Sequence, residues 1–447
     1  MARYRNILVT SFFVSLITLW LCRLPHLSWY NQAAAFSSPA STASADLDLS
    51  RVDAPFVSWP LARVCKETTW NPGVVFICDD NSGGIGNIRN YLLTCVRYAI
   101  EAGATGLVLP RIRGRSSNDL ADLFVEHQPF EYYFDKKHFT SSLQTACPEI
   151  AIYKSVNDIP NAGKPLEPEK IQPITYTKRG GCDQRELNKH SDRFGIEFRK
   201  HMEKTSKENK FPFPSMEHPR AYAMAWGVQF DLQVYRDGPE FVSTFGGLLK
   251  FRKDIMDLGL KTAKYMRQYA TTQGTTPPDK RIGSTNFTGM HLRSESDALA
   301  FWPKFEQQSH AYLEKTRALE FHAAYLATGN ETEADKLTEI ARSKYLIGVM
   351  TKRKLLEPYH SDLKALDKLT WDQQALIDYI VLLECQYFTG VSPSSFSMNV
   401  ALKRHTKMDG LYTRPWKIGR EDERSMLVGS YEKYWEDWLF MFDSIWP

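Results

Sequence analysis

The sequence predicts an α/β fold built as two Rossmann-like domains. Three observations predict it. A short apolar run at Val74–Cys78 passes through a glycine-rich loop into an amphipathic helix, and a second apolar run follows at Leu107-Val108-Leu109. A second series of alternating helical and strand-like segments extends from Phe251 to Arg404. A polar stretch from Lys154 to about Lys210, carrying Pro160, Pro165, Pro168 and Pro173, separates the two.

The elements follow in order. Val74–Cys78 (VVFIC) is short and β-rich and reads as a buried strand. Asp79 to Asn87 (DDNSGGIGN) is a turn-rich loop. Ile88, Tyr91, Leu92, Cys95, Val96, Ala99 and Ile100 then recur on one helical face, and Gly103 stands where a C-terminal cap belongs. Pro110 stops the next strand. The polar middle reads as connecting loops and short helices, closed by the rigid Phe211-Pro-Phe-Pro214. Beyond it, Phe251–Tyr269 reads as a helix, Phe287–Leu292 and Phe321–Thr328 as strands, and Thr370–Glu384 as a helix. Tyr387–Gly390 ends a strand, Ser394–Arg404 is the next helix, and the aromatic-rich tail from Tyr431 to Trp446 reads as an amphipathic helix. The expected divisions are residues 1–27, 28–64, 65–235 and 236–447. In such a pair of domains, ligands bind at the carboxyl ends of the strands.

Residues 1–27 carry the localisation signal. Arg3 and Arg5 precede an apolar run from Ile7 to Cys22, closed by Arg23. Two readings fit: an uncleaved signal anchor, or a cleaved signal peptide with Ala33-Ala34-Ala35 as its small-residue site. The anchor is favoured because the run exceeds most signal-peptide cores. Either places the rest of the chain in the lumen of the endoplasmic reticulum or Golgi, the anchor making it a single-pass type II protein. The Ala/Ser-rich segment that follows reads as a flexible stem. Seven cysteines are present, with no zinc spacing, and lumenal context favours disulfides. Cys95, on an apolar helix face, fits a buried free thiol equally well. Sequons at Asn286 and Asn330 agree with a lumenal chain. A formal net charge of +4 without a basic run argues against a nucleic-acid partner.

Three constellations could carry chemistry. In the loop Gly83-Gly84-Ile85-Gly86-Asn87, glycines allow close backbone approach and the helix start favours anions. The loop is neither GxGxxG nor a P-loop, and a tight turn alone would explain it. The second is Gly289 to Asp297 (GMHLRSESD). Arg293 can grip phosphate oxygens bidentately, His291 shares its strand face, and Glu295 and Asp297 are acids within reach. A surface salt-bridge cluster around a satisfied His291 is the blander reading. In the third, Thr389 to Phe396 (TGVSPSSF), Ser394 and Ser395 fit an N-cap, and the same geometry binds phosphate.

Taken in this order, these segments resemble the GDP-fucose protein O-fucosyltransferase family, including its plant-type branch. The resemblance spans roughly residues 70 to 410, with gaps in the middle. It rests on Gly83–Pro110, on Met290–Phe301 (MHLRSESDALAF), on Tyr325–Gly329 (YLATG) and on Asp378–Arg404. It implies a GT-B fold of two Rossmann-like domains facing a cleft, and an inverting transfer of fucose from GDP-fucose to a protein or glycan hydroxyl. It further implies that Gly84, Gly86 and Asn87 line the sugar side, with Asn87 and Arg293 catalytic. His291 and Arg293 would contact the nucleotide, Asp378 would hold guanosine, and Ser394, Ser395 and Phe396 would cradle phosphate and fucose. Asp79-Asp80 is adjacent rather than spaced as Asp-x-Asp, so neither a metal nor any other cofactor is expected.

One departure stands out. Some family members carry an acid in the glycine loop, where this chain has Gly84 and Ile85. Asp80, Glu295 and Asp297 remain as possible bases. A non-catalytic GDP-sugar or glycan binder, or a transferase of another GDP-sugar, are the alternative functions.

Overall fold

The computed structural model describes residues 47–116, 122, 125–163, 167–172, 194–209, 212–226, 230–273, 287–295, 302–407 and 414–447. The expected anchor, most of the expected stem, Cys22, Cys182, Asn286 and Asp297 lie outside the described residues. Among the described residues, no helix is long and apolar enough to cross a membrane.

The fold is α/β, with two parallel five-stranded sheets. The first contains β1 (Asn71–Ile77), β2 (Ala104–Val108), β3 (Ala151–Tyr153), β4 (Glu169–Ile171) and β5 (Arg220–Met224), in the order β3-β2-β1-β5-β4. The second contains β6 (Thr288–His291), β7 (Ala323–Ala327), β8 (Gly348–Met350), β9 (Tyr387–Val391) and β10 (Ser425–Val428), in the order β8-β7-β6-β9-β10. Every neighbouring pair is parallel. Parallel strands need both faces covered, and β1 shows why its sequence is apolar throughout. Val74 and Phe76 enter the main core, while Val75 and Ile77 point to a second cluster with Val108 and Ala221. β6 and β7 divide in the same way, Met290, Ala324 and Leu326 facing one core and Ala323, Tyr325 and Ala327 the other.

Three helices carry site residues, α1 (Ile85–Glu101), α3 (Trp371–Leu383) and α4 (Ser395–His405), and α2 (Lys253–Thr272) packs against α3. α1 ends as the sequence predicts, with Gly103 just beyond its C-cap at φ +69°. α3 opens with a capping box in which Thr370 and Gln373 bond each other's backbone amides. Its last carbonyls, Leu382 and Leu383, accept from the fully buried Arg404 of α4.

Several expectations change. The Trp59–Glu67 helix, with Leu61, Val64 and Cys65 buried, draws residues 59–64 out of the expected stem and into the packed body. In the middle, Phe194–Asn209 is one 16-residue helix rather than short pieces. After the proline break comes β5, a strand the sequence reading omitted, seated beside β1. Cys95 is not a free thiol. It pairs with Cys78, tying the end of β1 to α1, and Cys65 pairs with Cys147. The tail is not a continuous helix. Trp438 adopts φ +60°, and only Met441–Ser444 is helical.

That tail has a different task. The Trp446 indole N–H donates to Thr94 Oγ1 at 3.0 Å and its backbone N–H to Asn90 Oδ1 at 3.2 Å, both on α1. Its carbonyl accepts from Asn399 of α4 at 2.6 Å and from Arg89 of α1 at 2.7 Å. Trp446 therefore staples α1 to α4. Nearer the helix starts the two helices touch directly: a Cβ on Gly86 would lie 2.7 Å from the Ser395 carbonyl carbon and 2.8 Å from the Phe396 nitrogen.

Two outcomes follow. Trp446→Ala should lower stability by roughly 3–5 kcal/mol, as large buried aromatics do, read as a fall in Tm; an unchanged Tm would remove the staple. Gly86→Ala should also lower Tm, by roughly 1–3 kcal/mol of overpacking, even though alanine ordinarily favours a helix interior. A rise in Tm would show that α1 and α4 have room to part.

Candidate active site

A switch in strand order marks where an α/β sheet binds ligands. In the second sheet the order reverses at β6 and β9, and in the first at β1 and β5. The loops leaving β1, β6 and β9 converge on one cavity of about 460 Å³, within the roughly 300–1,000 Å³ of small-molecule sites. Gly84, Gly86, Asn87, His291, Arg293, Glu295, Asp378, Ser394, Ser395 and Phe396 all line it. Asp80 does not.

Two helix starts face each other there. α1 has Gly84 at its N-cap with no side-chain cap, and its first turn carries no acid. α4 has Ser394 at its N-cap and again no acid in its first turn. The first two amides of each helix, Ile85 and Gly86 in α1 and Ser395 and Phe396 in α4, precede the intrahelical ladder and bring the positive end of the helix dipole. The Asn87 amide bonds the Gly84 carbonyl at 3.0 Å and the Ser397 amide the Ser394 hydroxyl at 3.5 Å. Ser395 Oγ donates to Asn87 Oδ1 at 2.5 Å, so a side chain from each helix fixes the other. A Cβ on Gly84 would meet nothing within 4 Å, so the backbone there is open to a ligand.

Arg293 leaves the end of β6. Its NH1 donates to Glu295 Oε2 at 2.5 Å, and its guanidinium lies 5.3 Å from the Trp302 ring. Gln308 clamps its backbone on both sides, accepting from the amide and donating to the carbonyl, each at 2.9 Å. Glu295 also accepts from the Gly329 amide at 2.8 Å. Burial pushes the Glu295 carboxyl up, but Arg293 and the Gly329 amide outweigh it and hold the group below its usual range. Glu295 is thus a fixed carboxylate that orients Arg293.

His291 is buried, and burial, reinforced by Arg293, pushes its imidazole down to about 4. It is neutral at physiological pH. Nδ1 lies 2.7 Å from Ser397 Oγ, which already accepts the Val391 amide. The ring packs 4.5 Å from that of Phe396. Asp378 accepts from Tyr325 Oη at 2.6 Å and from Lys352 Nζ at 2.7 Å. Burial raises its carboxyl even against Lys352. Asp80, outside the cavity wall, is raised by burial despite Arg113, whose NH2 is 3.7 Å away. Asn330 caps the Glu331–Ile340 helix, its Oδ1 accepting from Glu333 beside the cavity residues Gly329 and Glu331.

The structure adds residues that the sequence reading missed. Lys352, Trp371, Asp372 and Arg115 line one part of the wall, and Phe230, Trp438 and Met441 also contribute. Trp371 follows the Thr370-x-x-Gln373 capping box, a pattern that marks a helix start and could have drawn attention to it. Arg115 and Phe230 sit in loops with no local signal. Among the described residues, no group of three or more His, Cys, Asp or Glu could hold a metal ion.

No curated protein matches the chain. The crystal structure of POFUT1 in complex with GDP-fucose is similar at 15% identity and a TM-score of 0.46, over 81% of this chain and 100% of that one. POFUT1 in complex with GDP gives 15% identity and 0.45 over the same shares. The fucosyltransferase NodZ from Bradyrhizobium gives 14% identity and 0.37, over 76% of this chain and 92% of that one. The model of the GDP-fucose protein O-fucosyltransferase family matches residues 75–407, well over half of the sequence. The chain belongs to the GDP-fucose protein O-fucosyltransferase family and is a glycosyltransferase of the fucose-transferring kind.

Proposed function

We propose that the chain transfers fucose from GDP-fucose to an acceptor hydroxyl of a protein or glycan, with inversion and without a metal ion, across a GT-B-type cleft. The observation that carries this is the meeting of Arg293 with two acid-free helix starts at the carboxyl ends of two sheets.

The chemistry follows from charge. As the bond between fucose and the β-phosphate oxygen breaks, negative charge grows on the diphosphate. Arg293, held in place by Glu295 and Gln308, and the first-turn amides of α1 and α4 stabilise it without reorganising. Ser394 adds a hydroxyl donor, while Ser395 gives its proton to Asn87 on the sugar side. His291 stays neutral. With the Val391 amide donating to Ser397 Oγ, the Ser397 hydroxyl can donate to Nδ1, which puts the imidazole proton on Nε2 as a donor to the nucleotide. Asp378 and its partner Lys352 fit the base and ribose of guanosine.

The acceptor proton has fewer candidates than the sequence offered. Glu295 is committed to Arg293 and two amides, a poor arrangement for a base. Asp80 keeps a raised carboxyl but lies outside the cavity wall, so it would act through water. An oxocarbenium-like path lowers the demand on any base. The glycine loop has no carboxylate, and this favours the second reading, a GDP-sugar binder without turnover. The two disulfides and the N-terminal apolar run support a lumenal, membrane-anchored chain of the Golgi or endoplasmic reticulum.

The test is GDP-fucose hydrolysis and transfer. Arg293→Ala should lower kcat by about 10²–10³, the usual loss when one donor to developing charge is removed. Native turnover in that variant would overturn the diphosphate role, and binding without hydrolysis or transfer in the native chain would support the binder. Turnover should persist in excess EDTA; loss restored by a divalent cation would sink metal independence. Glu295→Gln should lower kcat yet keep the acidic limb of the pH profile. Disappearance of that limb would make Glu295 the base.

A further inference from the structure

The cavity wall comes from two parts of the fold that differ in chemistry. The second sheet and its helices supply Arg293, His291, Lys352 and Asp378, the groups assigned above to the nucleotide. Segments that follow strands of the first sheet supply the start of α1, Arg115 and Phe230, and the C-terminal tail supplies Trp438 and Met441. No carboxylate stands on this second part of the wall. Phe230 and Met441 are buried, whereas Trp438 is only half-buried, so the indole is what this apolar group offers a ligand.

Trp438 is held there against its own backbone preference. Among the described residues, the non-glycines at positive φ are Asn161, Glu320, Leu346 and Trp438, and of these Trp438, at +60°, lines the cavity. Bulky side chains populate that region sparsely, and such strain persists where surrounding bonds over-determine it, often at ligand sites. Those bonds are present. Asp437 Oδ2 accepts from the Ser430 hydroxyl at 3.0 Å and from the Glu432 and Lys433 amides at 2.9 and 2.8 Å. The Trp438 amide donates to the Trp435 carbonyl at 3.2 Å, and the Leu439 amide to the Tyr434 carbonyl at 3.0 Å. The turn keeps the aromatic run from continuing as a helix and sets the indole in the cavity wall.

Inversion brings the acceptor hydroxyl to the face of fucose C1 opposite the diphosphate, away from Arg293. We infer that the acceptor is a glycan, and that its terminal sugar packs a C–H face on the Trp438 indole. The inference rests on the fucose-transfer reading above. A pyranose presents a face of C–H groups and needs one flat apolar partner with a few polar groups beside it. A peptide is commonly held by adding to a strand edge or by laying a helix in a groove. The edge strands β3, β4, β8 and β10 contribute no residue to this cavity wall, and no carboxylate beside Trp438 answers a basic peptide. The sugar hydroxyl oxygen bonds to fucose C1 as the bond to the β-phosphate oxygen breaks. The bonding pair leaves with GDP, and the hydroxyl proton passes to water or to the leaving phosphate.

The test uses the full-length purified chain, the methyl glycosides of glucose, galactose, mannose and N-acetylglucosamine, and a short unstructured Ser/Thr peptide. With GDP present, saturation-transfer NMR should show at least one glycoside bound, its saturated protons lying on one face. Trp438→Ala should abolish that signal and Trp438→Phe should keep part of it. With GDP-fucose as donor, Trp438→Ala should raise KM for that glycoside about ten- to a hundredfold and change hydrolysis to water by less than about twofold. Absence of any glycoside signal, transfer to the peptide while the glycosides stay inert, or an unchanged glycoside KM in Trp438→Ala would each overturn the inference. Glycoside binding through Trp438 without turnover of GDP-fucose would defeat the donor reading and still support the sugar site. If Trp438→Ala does not fold, Trp438→Phe and the proton map on the native chain decide.

Discussion

The close approach of α1 to α4 is the constraint on which the site depends. Each helix follows the first or fourth strand of its sheet in chain order and brings a start without acids to the same cavity. Gly86 removes the Cβ that would hold them apart, since that atom would fall 2.7 Å from Ser395. Asn87 and Ser395 then bond across the gap. Further along, Asn90, Thr94 and Asn399 grip Trp446, so the contact is closed at both ends. A shift of about an ångström between the helices would separate the two sets of amides, and oriented groups lose much of their effect over such distances.

Charge in the cavity is balanced more than it first suggests. Arg293 comes with Glu295, Lys352 with Asp378, and Arg353 with Asp367. Each pairing fixes a long side chain and leaves little net field. The pull on an anion therefore comes chiefly from the helix starts and from preorganised donors, not from bulk positive charge. This agrees with a formal net charge of only +4 across the chain. It also explains how Glu295 fits the diphosphate role proposed for Arg293: it orients the guanidinium while other N–H groups of Arg293 can meet a ligand.

Much of the frame was legible in the sequence because its signals are local. β1, its glycine loop and α1 pass from a continuous apolar run through glycines to a 3.6-residue period, and the structure follows it. β6, β7, α3, β9 and α4 lie where apolar runs and caps place them. The failures are physical too. β5 is five residues, RAYAM, with a period-two pattern too short to stand out after a proline-rich stretch. Phe194–Asn209 is mostly polar, and only Phe194, Phe198 and Met202 mark its buried stripe. The tail's aromatic spacing imitates a helix, yet its rings belong to several contacts: Trp446 against Phe241 and Phe245, Trp435 against Phe440. Nine of the ten candidate residues in the cavity wall flank strand ends, which apolar runs locate, and Asp378 comes from the middle of α3. Lys352 stands just beyond the short strand β8, which the sequence reading did not place, while Trp371 and Phe230 arrive from connecting segments that no short window records.

The glycine loop shows how geometry limits chemistry. It is tethered at both ends. The Cys78–Cys95 bridge joins the close of β1 to the middle of α1, and Asp79 bonds the Arg111 backbone and side chain at 2.8 and 2.7 Å. Asn81 adds bonds to the Arg111 carbonyl and the Arg113 amide. Between these anchors Gly83 takes φ +90°, a conformation that side chains resist, and a Cβ there would meet Asn87 Nδ2 at 2.6 Å. An acid at Gly83 would be strained and crowded. One at Gly84 would have open space, yet it would place negative charge at the start of α1, against the diphosphate that the helix dipole is suited to hold. The loop's contribution is therefore backbone amides and room. On the proposed mechanism, handling of the acceptor proton would fall to a group beyond it or to the leaving phosphate itself.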